Sequence, residues 1–158
     1  MTKLQVGDQA PEFKINVAEN KIISLSNFTG KYLVLYFYPK DSTPGCTIEA
    51  QDFNHHLQEF SSMECEVIGI SKDDLSSHDK FCQKHDLRFM LGADTEGIMC
   101  KDYDVWAQKS MFGKKYMGIN RSTFLIDPTG KIIYIWPKVS VSGHAKSVLN
   151  KLRDFVKS

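Results

Sequence analysis

The 158 residues are 42% apolar and 25% charged, ordinary for a globular chain and enough for one domain, residues 1–158, to bury a core without disulfides or metal. Twenty basic against nineteen acidic side chains give a formal charge of +1, which excludes the basic excess that phosphate-backbone binding needs. The longest strongly apolar run, Leu33 to Tyr38, is six residues, far short of a membrane span, and Asp8, Pro11 and Glu12 interrupt the stretch that a signal peptide would keep apolar; a soluble, cytoplasmic protein is expected.

In chain order, Lys31 to Tyr38 is a continuous aromatic and β-branched run and predicts a central strand buried on both faces. Pro39 ends it, and Lys40 to Gly45 is a short polar loop. A helix is expected from Pro44 to Phe60, with Ile48, Phe53, Leu57 and Phe60 as its apolar stripe. Glu66 to Ser71 predicts the next strand. Ser76 to His85 opens on Ser-x-x-Asp, a capping-box pattern that predicts a helix. Gly97 to Tyr103 predicts a short helix. Ser122–Asp127 and Lys131–Trp136, joined through Pro-Thr-Gly, predict a hairpin. His144 to Lys157 predicts a closing helix, with Val148, Leu152, Phe155 and Val156 on one side. Strands alternating with helices, then a hairpin and a last helix, indicate an α/β fold: a mixed central sheet flanked by helices, in the length and order of a thioredoxin-like fold.

Four cysteines, Cys46, Cys65, Cys82 and Cys100, are separated by 19, 17 and 18 residues, with no Cys-x-x-Cys and no zinc-finger spacing. Cys46 is singular because it sits where strand passes into helix, in Thr43-Pro-Gly-Cys46-Thr-Ile-Glu49. Thr43 suits the N-cap and Pro44 the first helical position, so Cys46 falls in the first turn, near unpaired N–H groups and the positive end of the helix dipole. Gly45 lets another molecule approach the backbone closely. Thiolate is the reactive form. Bringing a thiol from pKa about 8.5 to about 6 takes roughly 3.4 kcal/mol of preference for the charged form. A helix terminus supplies only about 0.3 to 2 kcal/mol, so a fixed cation should help. On this loop alone, a reactive thiol and a structural cysteine in a helix cap both remain open.

The segment Phe37-Tyr-Pro-Lys-Asp-Ser-Thr-Pro-Gly-Cys46-Thr resembles the active-site segment of peroxiredoxins, whose signature is Pro-x-x-x-Thr/Ser-x-x-Cys. Tyr103-Asp-Val-Trp-Ala-Gln-Lys109, Gly113-Lys, and Gly118-Ile-Asn-Arg121-Ser-Thr-Phe-Leu-Ile-Asp127 resemble the bacterioferritin comigratory protein, or peroxiredoxin Q, branch. The likeness runs from Gly7-x-x-Ala-Pro-x-Phe13 to Gly143-His-Ala. It implies that Cys46 is the peroxidatic cysteine, which attacks the peroxide and becomes a sulfenic acid. Thr43 matches the hydroxyl that bonds peroxide and thiolate, Pro39 the proline that shields the pocket, and Arg121 the arginine that holds the thiolate and polarised oxygens. Glu49, one turn on, either orients Arg121 or merely complements the helix N-terminus.

One form of this branch carries its resolving cysteine five residues after the peroxidatic one, where this chain has Gln51. The other form carries it in the following helix, and the resemblance assigns that role to Cys82, through an intramolecular disulfide that requires both helices to unwind locally. Cys65 and Cys100 are expected to be structural. His78, Cys82 and His85 share a helix face, but no fourth ligand is evident and no metal is expected. Trp106 and Lys109 read as packing rather than a docking patch.

The resemblance implies a thiol peroxidase for hydrogen peroxide and organic hydroperoxides, with no haem, flavin or metal cofactor. Thioredoxin is the implied reductant, with glutaredoxin or glutathione as substitutes. The alternatives are a one-cysteine peroxidase served by an external thiol and a non-enzymatic redox sensor. A dithiol-disulfide oxidoreductase is disfavoured because no cysteine lies three residues from Cys46. With no resolving cysteine in a C-terminal tail, a monomer is expected.

Overall fold

The computed structural model describes residues 4–157; Met1–Lys3 and Ser158 of the expected unit lie outside the described residues. Strand β3 (Tyr32–Phe37) is the centre of the molecule, and every side chain from Leu33 to Phe37 is fully buried, as a continuous apolar run requires. It pairs in parallel with β4 (Cys65–Ser71), which pairs in parallel with β5 (Met90–Ala93). On its other side it pairs antiparallel with β8 (Ser122–Ile126), the first strand of the expected hairpin with β9 (Ile132–Trp136). An N-terminal hairpin of β1 (Lys14–Ala18) and β2 (Lys21–Ser24) completes a seven-stranded mixed sheet of order β2-β1-β5-β4-β3-β8-β9. Two further strands, β6 (Trp106–Met111) and β7 (Lys114–Ile119), form a separate antiparallel hairpin.

Alternation along β3 divides the interior. Leu33, Leu35 and Phe37 join Ile68, Ile70, Phe124 and the short helix α4 (Ile98–Asp102) in one core. Val34, Tyr36 and Tyr38 face the other, built with α1 (Pro44–His55), α2 (Leu57–Ser62), α3 (Leu75–His85) and α5 (His144–Lys157). The layers are those expected of a thioredoxin-like α/β fold. Among the described residues no helix is long and apolar enough to cross a membrane.

Three sequence expectations need correction. The helix from Pro44 to Phe60 is two helices, broken at His56, whose N–H bends back to the carbonyls of Asp52 and Phe53. Of its expected apolar stripe, Phe53 and Phe60 are buried and Leu57 packs against the core, but Ile48 is exposed, and the buried face of α1 is instead Cys46, Glu49, Ala50 and Phe53 at i, i+3, i+4 and i+7. A buried carboxylate at Glu49 is what hydropathy could not foresee. Third, Ser76 does not cap α3. Asp74 does, its Oδ1 accepting from the Ser77 N–H at 2.9 Å, so the helix starts at Leu75.

Candidate active site

The loop after β3 turns into α1 through Ser42, whose φ of 64° is in the left-handed region. Pro44 occupies N1, where its missing N–H costs nothing, and Cys46 lies at N3, buried, with the first-turn N–H groups beside it. Thr43 is at the N-cap position, but its side chain does not cap. The hydroxyl donates to the Lys40 carbonyl at 2.9 Å, so toward any further partner it can only accept. Pro39 is exposed where the strand ends.

Arg121 arrives from between β7 and β8. Its backbone is fixed there: its carbonyl accepts from the Val139 N–H at 2.8 Å, and the neighbouring Asn120 N–H donates to Val105 at 2.8 Å. The guanidinium then bridges two groups of α1. Nη2 lies 3.3 Å from the Cys46 Sγ, and Nη1 donates to Glu49 Oε1 at 2.7 Å. Gly45 makes room, since a Cβ there would stand 3.4 Å from Arg121 Nη2. Cys46, Glu49, Arg121 and Gly45 are thus brought into one constellation, with the Thr43 hydroxyl at its rim.

The charges are tuned by burial. Burial pushes the Glu49 carboxyl up to about 7, with Arg121 pulling the other way. Burial also works against the Arg121 charge, but Glu49 and the Cys46 sulfur outweigh it and hold the guanidinium more firmly protonated than usual. Lys109 of β6 shares this field: burial and Arg121 lower its pKa, and Cys46 raises it. His144, at the start of α5, is depressed to about 4 by burial and by Arg121, and lies 2.8 Å from the Thr123 hydroxyl as a neutral ring.

The remaining cysteines differ in character. All four are free thiols. Cys65 opens β4, and Cys100 lies in α4; burial raises both thiols far above the ordinary range. Cys82 is half-buried on α3 against the same core as Cys46, and burial with Asp41 and Asp79 pushes it up to about 11. His78 and His85 do not converge with it: His78 is bonded to Asp41 and the Gly92 carbonyl, and His85 to Gln51. Trp106 packs beneath Lys72, whose Nζ sits 4.3 Å from the ring centroid.

The family model for the AhpC/TSA family matches residues 6–135. The chain belongs to the AhpC/TSA family, as a peroxiredoxin. Peroxiredoxin Bcp of Bacillus subtilis is 45% identical over 151 residues, covering 96% of both chains, and that of Escherichia coli is 37% identical over 154 residues, covering 98% of this chain and 99% of its own. A solved mutant of Xylella fastidiosa PrxQ superposes with a TM-score of 0.92 at 40% identity, over 98% of this chain and 99% of its own. The bacterioferritin comigratory protein of Xanthomonas campestris, solved for its alkyl peroxide reduction activity, gives 0.87 at 41%, over 91% and 92%. This peroxiredoxin is therefore an enzyme, a thiol peroxidase of thioredoxin-like fold.

Sequence reading did not reach Lys109 as a neighbour of the thiol, Asp41 as a buried carboxylate, or His144 as a neutral ring behind Arg121. Asp41 looked like ordinary loop polarity between Lys40 and Ser42. Lys109 pairs with Tyr116 on β7 and lies diagonally over Gly118, the partner of Ala107, where a Cβ would meet the Lys109 Cδ at 3.4 Å.

Proposed function

We propose that this peroxiredoxin is a single-domain, cytoplasmic and monomeric two-cysteine peroxidase that reduces hydrogen peroxide and organic hydroperoxides through Cys46. The observation that carries this reading is the 3.3 Å contact of Arg121 with the Cys46 sulfur at a helix N-terminus. The Cys46 thiolate attacks the terminal oxygen of R–O–O–H, the O–O bond breaks, and sulfur is oxidised by two electrons to a sulfenic acid. The departing alkoxide takes a proton and leaves as alcohol, or as water when the substrate is hydrogen peroxide. Arg121 faces both the sulfur and the developing charge on oxygen, which is where a fixed donor lowers a barrier. Thr43, its own proton held by Lys40, is free to accept from the peroxide hydroxyl. Pro39 and Gly45 bound the approach.

Cys82 then attacks the sulfenic sulfur, an S–S bond forms, and water leaves. Thioredoxin, or a glutaredoxin or glutathione in its place, reduces the disulfide. In the helix, Cys82 at about 11 is almost wholly protonated. Release toward an ordinary pKa near 8.5 yields about 300-fold more thiolate, of which weaker intrinsic nucleophilicity returns roughly half on a logarithmic scale. Unwinding therefore serves reactivity as well as reach. A Xanthomonas campestris peroxiredoxin Q, solved with serine at each of two cysteines 36 positions apart, supports the pairing, since Cys46 and Cys82 have that separation.

Peptide mapping of peroxide-treated protein tests this. One Cys46–Cys82 linked pair is expected, Cys46→Ser should consume no peroxide, and Cys82→Ser should consume one equivalent and stall as sulfenic acid. Normal cycling of Cys82→Ser with thioredoxin would move resolution to another thiol.

A further inference from the structure

A second buried charge cluster lies beside the site without touching the Cys46 sulfur. Asp41, in the loop before α1, is buried, and all its carboxylate bonds are intramolecular. Oδ1 accepts from the Tyr38 hydroxyl at 2.5 Å; Oδ2 accepts from the Ser77 hydroxyl at 2.8 Å and faces His78 Nδ1 at 2.7 Å. The Asp41 N–H donates to Asp73 Oδ2 at 2.7 Å, and Asp73 in turn accepts from the Ser71 hydroxyl. His78 Nε2 lies 3.0 Å from the Gly92 carbonyl of β5. Both imidazole nitrogens therefore face acceptors, and only the doubly protonated ring satisfies both. Ser77 and His78 are in the first turn of α3, and Cys82 is one turn further on, at i+4 from His78. The cluster thus ties the loop that delivers Cys46 to the helix that carries Cys82.

We infer that the Asp41–His78 ion pair is a latch that holds α3 on the Cys46 loop, and that its release sets how oxidised Cys46 divides between the disulfide and over-oxidation. His78 and Asp41 are positioning residues, and the inference rests on Cys82 being the resolving thiol. While the latch is closed, the sulfenic acid waits, and a second peroxide molecule converts it to sulfinic acid with loss of an alcohol or water. When the latch opens, the first turns of α3 come away and Cys82 closes the disulfide.

The latch is also pH-dependent. The groups facing it are Asp41 and Asp73 from the flanking loops, Tyr38 from the end of β3, the Gly92 carbonyl from β5, and Ser77 and Cys82 from α3. Burial disfavours the His78 charge, but Asp41, the Gly92 carbonyl and Asp73 outweigh it and raise its pKa. Burial likewise opposes the Asp41 charge, and its bonds from His78, Tyr38 and Ser77 lower its pKa overall. The pair is therefore fully charged below the ordinary histidine pKa, down to the acid range where Asp41 protonates. It is lost as pH rises through the raised value.

The test compares reduced wild type with His78→Asn by hydrogen exchange, reading α3 against α5 in the same molecule, and follows disulfide formation and sulfinic acid per turnover by mass spectrometry. A hydrogen bond between charged groups removed from α3 should raise its opening by about tenfold or more. Disulfide formation should speed in step, and sulfinic acid per turnover should fall. In wild type the α3-to-α5 protection ratio should drop as pH rises through the raised His78 value, and in His78→Asn it should be flat. If His78→Asn does not fold, Ser77→Ala, which removes one donor to Asp41, should give the same changes at smaller size. Unchanged α3 exchange in the variant overturns the latch, and faster exchange without faster disulfide formation overturns its control of resolution. Should wild type join Cys46 to a thiol other than Cys82, the resolving assignment fails on its own, and the exchange comparison still decides whether the latch holds α3.

Discussion

Arg121 is placed so that one guanidinium serves two α1 side chains, and its two jobs can be separated. If it only favours the thiolate, removing it costs at most the roughly thirtyfold between a few per cent and full ionisation at neutral pH. If it also steadies charge on the leaving oxygen, the loss goes further, since one such donor is typically worth about 10²–10³. Arg121→Ala should therefore slow the peroxide step at neutral pH by more than a hundredfold. It should remain slow at alkaline pH, where an ordinary thiol is ionised. Stopped-flow rates across pH decide this: full recovery in alkali would confine Arg121 to ionisation. Arg121→Lys should recover little, because a single ammonium cannot reach Glu49 and Cys46 in the fork geometry observed.

At the scale of elements, legibility followed hydrophobic pattern. β3, β4, the β8–β9 hairpin and α5 carry strong apolar periodicity, and the structure places them within a residue or two of expectation. The β6–β7 hairpin was not legible, because Gln108, Lys109, Ser110, Lys114 and Lys115 give it no apolar face. Its turn held the available signal. Phe112 and Gly113 have φ of 53° and 78°, a pair of left-handed residues as two-residue hairpin turns require, but Phe-Gly is a weak form of the usual Asn-Gly. The candidate site was legible in the sequence only as a set of residues. Glu49 orienting Arg121 was one of two open readings, and the two side chains stand 2.7 Å apart. The Asp41–His78 pair lay 37 positions apart in a polar loop and a helix, with no local pattern to join them.

For the whole molecule, buried titratable groups make stability depend on pH in opposite senses. His144 stays neutral in the fold down to about 4, whereas an unfolded histidine takes up its proton near 6.5. Its contribution is complete above about 6.5 and is lost as pH falls toward 4. Glu49, held near 7 against an ordinary 4.5, acts the other way and favours the fold as pH falls through the same interval. The wild-type stability curve should therefore be shallow there. Measured against His144→Asn by urea denaturation, wild type should lose about 2 kcal/mol between roughly pH 7 and pH 5. A constant difference between the two proteins would show that His144 titrates normally in the fold.

Glu49 puts a carboxylate on the buried face of α1 with one oxygen, Oε2, lacking any hydrogen-bond partner among the described residues. Desolvated charge in a helix–sheet interface is costly, and replacing both members of such a pair by apolar side chains commonly leaves a protein as stable or more so. The double substitution Glu49→Met with Arg121→Met should accordingly keep or raise the melting temperature while abolishing peroxide turnover. Selection for heat resistance alone would drift toward such inert descendants. Resistance to heat and protection from oxidants thus compete for the same two codons.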